Sequence, residues 1–384
     1  MTSAVDLGPA GPLPDATIDR LAATIAADAL IVGMGESTRF AHETFAVRDR
    51  LFRRLVHHHG VRGLAIQDSA AIGDRLDSYV TGGDGSAAAA LGEAWRPWRT
   101  AEMAEALDWI RAFNQAHPDD PVRVFGVRPP QARAADYDVV LDAIRTRAPE
   151  HLSEVAAHLD PIRTAHDVDE HVQTARGLHP GRPFAEHARD ALAVVASLGV
   201  DPAVERRMRL IVDFHTGSVA GRGSYAGDAE TWAGRISDLQ LRTGSRLAYW
   251  DGIAHTAATP VALGLAPERG AQPTVGSVLR GRHHGRYVSV AIGFHHGRLG
   301  AMTVPPPAAD LVDATISRPG EPAFAQDLRH SDPRHATGPA KVRVISGVYD
   351  PARDDAEHMA VATLAGAFDV LIHIREVTPV RRLD

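Results

Sequence analysis

The chain has 384 residues, 44% of them hydrophobic, so it is long enough to bury a large core and its size suits one α/β domain with insertions. It contains no cysteine, which excludes disulfides, thiolate metal sites and cysteine nucleophiles. The formal net charge is −7 and the basic residues are interspersed with acidic ones, so we expect no nucleic-acid partner.

The N-terminal residues 1–9 do not have the basic region and apolar core of a signal peptide. No apolar run in the sequence has the length needed to span a bilayer. We therefore expect a cytoplasmic protein with no membrane partner. The sequence leaves the oligomeric state open.

Hydrophobic patterning predicts the fold class. Strand-like runs occupy residues 29–33, 63–67, 122–127, 246–250, 287–294, 300–304, 342–346 and 370–374, with helical patterns between the early ones. This alternation predicts an α/β fold with a mainly parallel central sheet and flanking helices. Between Gln131 and Thr243 only helical periodicity occurs. We expect one composite domain, with core parts at 1–130 and 244–384 and a helical insertion at 131–243 that covers a cleft.

The first predicted strand ends in Gly35-Glu36, which brings Glu36 to the carboxyl edge of the sheet, where open α/β sheets bind ligands. Thr38 is predicted to cap the helix that follows, with Glu43 and Arg48 in its first turns. Glu43 has a simpler interpretation, because the helix dipole alone favours a carboxylate near a helix start.

The pattern Gly35-Glu36-x-x-Arg39-Phe40-x-x-Glu43 followed by Arg48 resembles the first motif of the erythromycin esterase family, which normally reads Gly-Glu-x-x-His. The resemblance continues in the family's order to about residue 374. It runs through Leu64-Ala65-Ile66-Gln67-Asp68, Asp77-Ser78-Tyr79-Val80, Trp95-Arg96-Pro97-Trp98-Arg99-Thr100, Val124-Phe125-Gly126-Val127-Arg128, Tyr249-Trp250-Asp251-Gly252-Ile253-Ala254-His255 and Gly276-Ser277-Val278-Leu279-Arg280.

The resemblance implies a deep cleft above the strand ends and metal-independent opening of a lactone by activated water. Several polar positions of the family's motifs keep their residue type here. These are Glu36, Glu43, Arg48, Arg99 and His255.

Four other motif positions have changed their chemistry. Arg39 replaces the histidine that the resemblance identifies as the water-activating base, and an arginine cannot accept a proton. Gln67 replaces a glutamate, Arg128 replaces an aspartate, and Asp251 begins a motif that retains only the second of two histidines, His255. The pocket is therefore expected to be less acidic than is typical of the family.

Two arginines gained at neighbouring strand ends suit a carboxylate or phosphate, which guanidinium groups bind bidentately. Our hypothesis is therefore an acidic substrate or a developing oxyanion. The alternative is a structural ion network, in which Arg39 and Arg128 pair with Glu36, Glu43 and Asp251 in an inactive site.

His255 is the preferred base, because neighbouring arginines are expected to hold the carboxylates ionised and weakly basic. By itself, a histidine after a strand is also often a hydrogen-bonded core residue. The candidate catalytic residues are His255, Glu36 and Glu43, and the candidate substrate-binding residues are Arg39, Arg48, Gln67, Arg99, Arg128 and Asp251.

The predicted function is acid/base chemistry on an ester, lactone or acidic small molecule of secondary metabolism, of polyketide-like type. The arginine-for-lysine bias, typical of GC-rich genomes, favours natural-product metabolism. Cyclisation, isomerisation or elimination in the same cleft is one alternative. Non-catalytic binding of a small molecule, as a carrier or resistance protein, is the other.

Histidine is abundant, at 21 residues, yet no histidine pair has the spacing of a zinc hydrolase. The clusters at 57–59, 283–284 and 295–296 are interpreted as a helix end and turns. No serine elbow, phosphate loop or dinucleotide fingerprint is present. We expect no metal and no cofactor.

Overall fold

The computed structural model describes residues 11–179, 181–222, 226–318, 320–329, 338–345 and 349–383. The segment 1–9, on which the signal-peptide prediction rests, lies outside these ranges, as does Ser346 of one predicted strand. The chain forms two compact units: Met1–Arg128 with Ala226–Asp384, and Pro129–Tyr225.

A mixed β-sheet forms the centre of the first unit, in the order β3-β2-β4-β1-β6-β11-β8 with β7 beside β6. The six strands from β3 to β11 pair in parallel, whereas β8 and β7 are antiparallel to their neighbours. The strands are β1 Ile31–Glu36, β2 Val61–Ser69, β3 Arg123–Arg128, β4 Arg246–Gly252, β5 Ala262–Leu263, β6 Tyr287–Leu299, β7 Met302–Val304, β8 Ala323–Asp327, β9 Ala340–Arg343, β10 His358–Val361 and β11 Val370–Val377.

Helices flank this sheet, which confirms the predicted α/β class. Those of the first unit are α1 Asp15–Ala26, α2 His42–His59, α3 Ala70–Val80, α4 Ala87–Leu91, α5 Ala101–Ala116, and, later in the chain, α12 Ala226–Thr243, α13 Ile253–Thr256, α14 Val275–His283, α15 Val312–Thr315 and α16 Leu364–Ala367. Those of the second unit are α6 Ala134–Arg147, α7 Leu152–Ile162, α8 Glu170–Ala175, α9 Phe184–Ser197, α10 Pro202–Thr216 and α11 Val219–Arg222.

Both faces of the sheet are buried, and strand alternation decides which face each side chain joins. In β1, Val32 and Met34 belong to the core on the side of α1, α2 and α5. In β4, Leu247 and Tyr249 belong to the opposite core, with α12 and α14. Glu36 continues the first series and Asp251 the second, so the two carboxylates approach the carboxyl edge from opposite faces.

The second unit has its own apolar core, which includes Tyr137, Ile144, Leu159, Phe184 and Ile211. It ends at Tyr225, one helix before the end of the predicted insertion at 243. The difference is α12, whose Trp232, Ala233 and Ile236 pack with the sheet of the first unit. The role of the insertion as a cover for the cleft stays a prediction.

Three short strands were not predicted from the sequence. Two of them are β5, between Thr256 and Thr274, and β10, which join the predicted strand β9 in a small antiparallel sheet. The third strand that was not predicted is β8, which lies at the edge of the central sheet. Among the described residues, no helix is both long and apolar enough to cross a lipid bilayer.

Candidate active site at the carboxyl edge of the sheet

The sheet order places four sequence-predicted polar residues next to one another. Arg128 ends β3, Gln67 lies near the end of β2, Asp251 near the end of β4, and Glu36 ends β1. The strands run β3-β2-β4-β1 and are parallel, so their carboxyl ends share one edge. This is the edge at which the sequence placed the cleft.

Arg39 connects three of these strand ends. Its Nη2 donates to Gln67 Oε1 at 2.5 Å and to Asp251 Oδ1 at 2.6 Å, and its Nη1 lies 3.7 Å from Glu36 Oε1. The ion-network alternative therefore describes the contacts of Arg39 with Glu36 and Asp251. Nη1 itself is buried and has no hydrogen-bond partner within the described chain.

The loop that carries Arg39 is not the start of a helix. Helix α2 begins at His42 after Ala41, so the prediction that Thr38 caps it was wrong. Distant segments anchor this loop: Ser37 N–H donates to the Ile292 carbonyl oxygen, and Ala41 forms a bridge with Pro379. The local sequence around Arg39 does not identify these partners.

Arg48 lies beneath the cluster, in the core. Its Nη1 is 3.0 Å from Glu36 Oε1, and both side chains are at most 2% exposed. Its guanidinium carbon lies 4.6 Å from the ring centroid of Trp250, 5.0 Å from that of Phe45 and 5.4 Å from that of Trp98. A fully buried Arg48 holds Glu36 in place, and direct substrate binding by Arg48 does not fit this position.

The pKa values of the two carboxylates shift in opposite directions. Burial raises the pKa of Glu36, although the charges of Arg48 and Arg39 lower it in part. Burial alone would also raise the pKa of Asp251, but the charges of His255 and Arg39 and the hydrogen bonds from Tyr249 and Arg39 hold it below its usual value. The expectation that neighbouring charges lower the pKa thus fits Asp251, whereas the pKa of Glu36 shifts upward.

His255 lies in α13, directly after β4, and is 8% exposed. Its ring stacks on Trp232, with centroids 5.3 Å apart and an interplanar angle of 26°. Burial lowers the pKa of His255, the negative charge of Asp251 raises it in part, and the charges of Arg39 and Arg128 lower it further. A neutral imidazole at pH 7 is able to accept a proton.

Arg128 differs from Arg39 and Arg48 in its partners. Its guanidinium carbon lies 5.7 Å from the centroid of Trp232 and 6.0 Å from that of Trp95. Its Nε is buried without a hydrogen-bond partner among the described residues. The ion network formed by Arg39 therefore does not include Arg128.

Glu43 hydrogen-bonds to Thr378, and its expected catalytic role stays a prediction. Its Oε2 accepts from the backbone N–H of Thr378 at 2.6 Å, and its Oε1 accepts from the Thr378 hydroxyl at 2.7 Å. The carboxylate thus fastens the segment after β11 to the start of α2.

Arg99 is only indirectly linked to the cluster. Its Nε donates to the carbonyl oxygen of Ala94 at 2.6 Å. Burial raises the pKa of Asp68, and the charges of Arg128 and Arg99 lower it in part. The Asp68 carboxylate accepts from the backbone N–H groups of Ser69 at 2.7 Å and Trp95 at 2.8 Å. Arg99 and Asp68 therefore support the loop that carries Trp95.

The two tryptophans of the site, Trp95 and Trp232, were not predicted from the sequence. Trp95 belongs to a family motif, and its ring lies 4.7 Å from the guanidinium carbon of Arg39. Trp232 comes from α12, which was assigned to the insertion. No local signal links a helix at 226–243 to His255, because the contact arises only when α12 packs on the sheet. Within the described ranges, no three histidine or acidic side chains form a group that could hold a metal ion.

Solved structures with this fold cover nearly the whole chain. A succinoglycan biosynthesis protein is 17% identical with a TM-score of 0.65, over 97% of this chain and 94% of that one. A Bacillus cereus protein is 20% identical with a TM-score of 0.64, over 97% and 95%. A mutant of erythromycin esterase EreC in its open conformation is 14% identical with a TM-score of 0.56, over 94% and 93%. These likenesses show the fold.

The sequence model of the family described as erythromycin esterase matches residues 56–377. The matched segment includes Gln67, Arg99, Arg128, Asp251 and His255 and begins after the first motif. It spans most of the chain, and both units contribute to it. The chain therefore belongs to the erythromycin esterase family, a family of esterase-like hydrolases.

Proposed function

We propose that this protein hydrolyses an ester or lactone of an acidic small molecule, with His255 as the general base. The observation that carries the proposal is the environment of His255. The ring is stacked on Trp232, its pKa is lowered by burial, and Asp251 and Arg39 lie in its electrostatic surroundings. These features keep an imidazole neutral and oriented, as a general base requires.

In the proposed reaction, His255 removes a proton from a water molecule whose oxygen attacks the ester carbonyl carbon. The carbonyl π electrons move to oxygen and give a tetrahedral oxyanion. Collapse of this intermediate breaks the bond to the alkoxy oxygen, which receives the proton from His255. The products are a carboxylic acid and an alcohol, and the histidine returns to its neutral form.

Arg39 is the candidate for stabilising the oxyanion. Its Nη2 is held by Gln67 and Asp251, which fixes the guanidinium plane. Its Nη1 is buried and free of hydrogen bonds within the described chain, so it has a donor to offer developing negative charge. This assignment gives the arginine that replaced the family histidine a role that needs no proton transfer.

The proposed substrate class is a natural product of polyketide-like type from secondary metabolism. Its acidic group would meet the positive charge at the edge of the sheet, where Arg39 and Arg128 lie. Two other outcomes remain distinct from hydrolysis: a proton-transfer reaction without water, such as cyclisation or elimination, and binding without turnover.

The test is a turnover assay on purified wild-type protein with lactones and alkyl esters, each supplied with and without a free carboxyl group. We expect the His255→Ala variant to lose at least about a hundredfold in kcat/KM, the usual contribution of a general base. His58→Ala is the matched control, because His58 is an exposed histidine in α2. Undiminished turnover by His255→Ala would refute the assignment of the base.

A further inference from the structure

Arg128 differs from the other arginines of the site, because it forms no ion pair or hydrogen bond within the described part of the chain. Arg39 is bound by Gln67 and Asp251, and Arg48 by Glu36. Within the described residues, Arg128 instead faces the two rings of Trp95 and Trp232. Ring faces attract a guanidinium cation, but they leave its N–H donors unused.

One of these two rings, whose centroid lies 5.7 Å from the guanidinium carbon of Arg128, carries a second donor. Trp232 is 3% exposed, and its indole Nε1 is buried with no hydrogen-bond partner in the described part of the chain. The Nε of Arg128 is in the same state. Buried donors are usually satisfied, so two neighbouring unsatisfied donors indicate a place where an acceptor is expected to bind.

Formal charge also favours an anion here. Four arginines and three carboxylates contribute to the cluster and its immediate support, which leaves one positive charge when His255 is neutral. The arginines are Arg39, Arg48, Arg99 and Arg128, and the carboxylates are Glu36, Asp68 and Asp251.

We propose that Arg128 and the indole N–H of Trp232 form a subsite that binds a carboxylate group of the substrate. A planar carboxylate matches the flat edge of a guanidinium and carries the single charge that the cluster lacks. The inference rests on the proposed function, since it takes the cluster to be a substrate site.

The subsite also restricts where the reacting bond lies. Trp232 contacts both groups, because His255 stacks on its ring at 5.3 Å and the Arg128 guanidinium lies 5.7 Å from its centroid. A carboxylate bound to Arg128 is therefore close to the base. The substrates selected are esters or lactones whose scissile carbonyl is separated from a free carboxylate by only a few bonds.

The test is calorimetric binding of phenylacetate, its neutral counterpart phenylacetamide, and inorganic phosphate to the full-length protein. We expect wild type to prefer phenylacetate, Arg128→Ala to weaken its binding at least about tenfold, and Arg128→Lys to recover only part of the loss. Trp232→Phe, which keeps a ring and removes the N–H, should weaken phenylacetate binding about threefold or more, and by a larger factor than it weakens phenylacetamide binding.

Arg123→Ala is the matched control. Arg123 is the first residue of β3, at the end of the strand opposite to Arg128, and it pairs with Asp77. Thermal unfolding of each variant shows whether it is folded. Equal binding of phenylacetate and phenylacetamide, an Arg128→Ala variant that binds phenylacetate as wild type does, tighter binding of phosphate, or no binding at all would each overturn the subsite. Arg128-dependent binding in a protein that hydrolyses no ester would support the subsite and refute only the proposed function.

Discussion

Glu36 and Arg48 form an ion pair, with 3.0 Å between Oε1 and Nη1, from which solvent is almost completely excluded. The guanidinium is surrounded by the rings of Trp250, Phe45 and Trp98. Its Nε, Nη1 and Nη2 form no hydrogen bond within the described chain, so the aromatic faces and the charge of Glu36 stabilise the guanidinium. The pair anchors the end of β1 to α2 directly under the candidate site.

Replacing only one member of this pair should be strongly destabilising. We expect Arg48→Met to lower the free energy of unfolding by about 3–5 kcal/mol, because Glu36 would remain buried without its counter-charge. Adding Glu36→Gln should recover a large part of the loss. Urea unfolding of both single variants and the double variant measures this coupling. The exposed Arg75→Met, which breaks a surface pair with Glu93, should cost less than about 1 kcal/mol. Additive effects of the Arg48 and Glu36 changes would contradict the account.

The titration of His255 should be shifted to low pH. Burial lowers its pKa from the ordinary value of 6.5, and the charge of Asp251 opposes part of that shift. We therefore expect the pKa in Asp251→Asn to be lower still, because a negative neighbour is removed. NMR with labelled histidine, assigned through His255→Gln, measures both values. His42 is an internal control, since its hydrogen bond with Glu102 raises its pKa and should persist in Asp251→Asn. A His255 pKa above 6.5 would be incompatible with its burial.

Glu43 should matter for stability and not for chemistry. Glu43→Ala removes two hydrogen bonds to Thr378, so we expect a loss of about 1–3 kcal/mol and faster amide exchange at Thr378. Turnover should stay within about twofold of wild type. Hydrogen exchange and the turnover assay report the two effects separately. A large fall in kcat without loss of stability would return Glu43 to the catalytic residues.

Acid should weaken the second unit through His215. Burial lowers the pKa of His215 to about 3, and its Nε2 lies 2.7 Å from the Tyr137 hydroxyl oxygen. Below pH 6.5, His215 binds a proton in the unfolded chain and stays neutral in the folded protein. The free energy of unfolding therefore falls as pH decreases from about 6.5 toward 3. At about pH 5 this loss is on the order of 2 kcal/mol.

His215→Gln should remove that part of the pH dependence. Urea unfolding followed by far-UV circular dichroism at about pH 7.5 and pH 5 measures it in both proteins. Asp313 acts in the opposite direction, because burial raises its pKa to about 6, but its contribution is common to both and cancels. An unchanged pH dependence in the variant would show that His215 is not the titrating group.

The central strands were predictable because they are buried on both faces and therefore read as continuous apolar runs. Most of the short strands of the C-terminal part were not, since strands such as Ala323–Asp327 mix polar and apolar residues and lie at an edge. The prediction of where α2 begins was wrong for another reason. Backbone hydrogen bonds of Ser37, Phe40 and His42 with distant segments override the local preference of Thr38 to cap a helix.

The polar part of the candidate site was predictable and its aromatic part was not. Arg39, Gln67, Arg128 and Asp251 lie at or shortly after the carboxyl ends of strands, so their shared edge follows from a parallel sheet. Sequence could not decide which arginine would be neutralised, because that depends on side-chain reach across strands. The stacking of Trp232 on His255 joins α12 to α13 and has no signature in either segment.

The most direct test of hydrolysis by this cluster is mass spectrometry of the protein incubated in ¹⁸O-labelled water with carboxyl-bearing esters and lactones. We expect one heavy oxygen in the acid product of wild type and its loss in His255→Ala. A product formed without label, or bound substrate that stays intact, would contradict hydrolysis and favour cyclisation, elimination or binding alone.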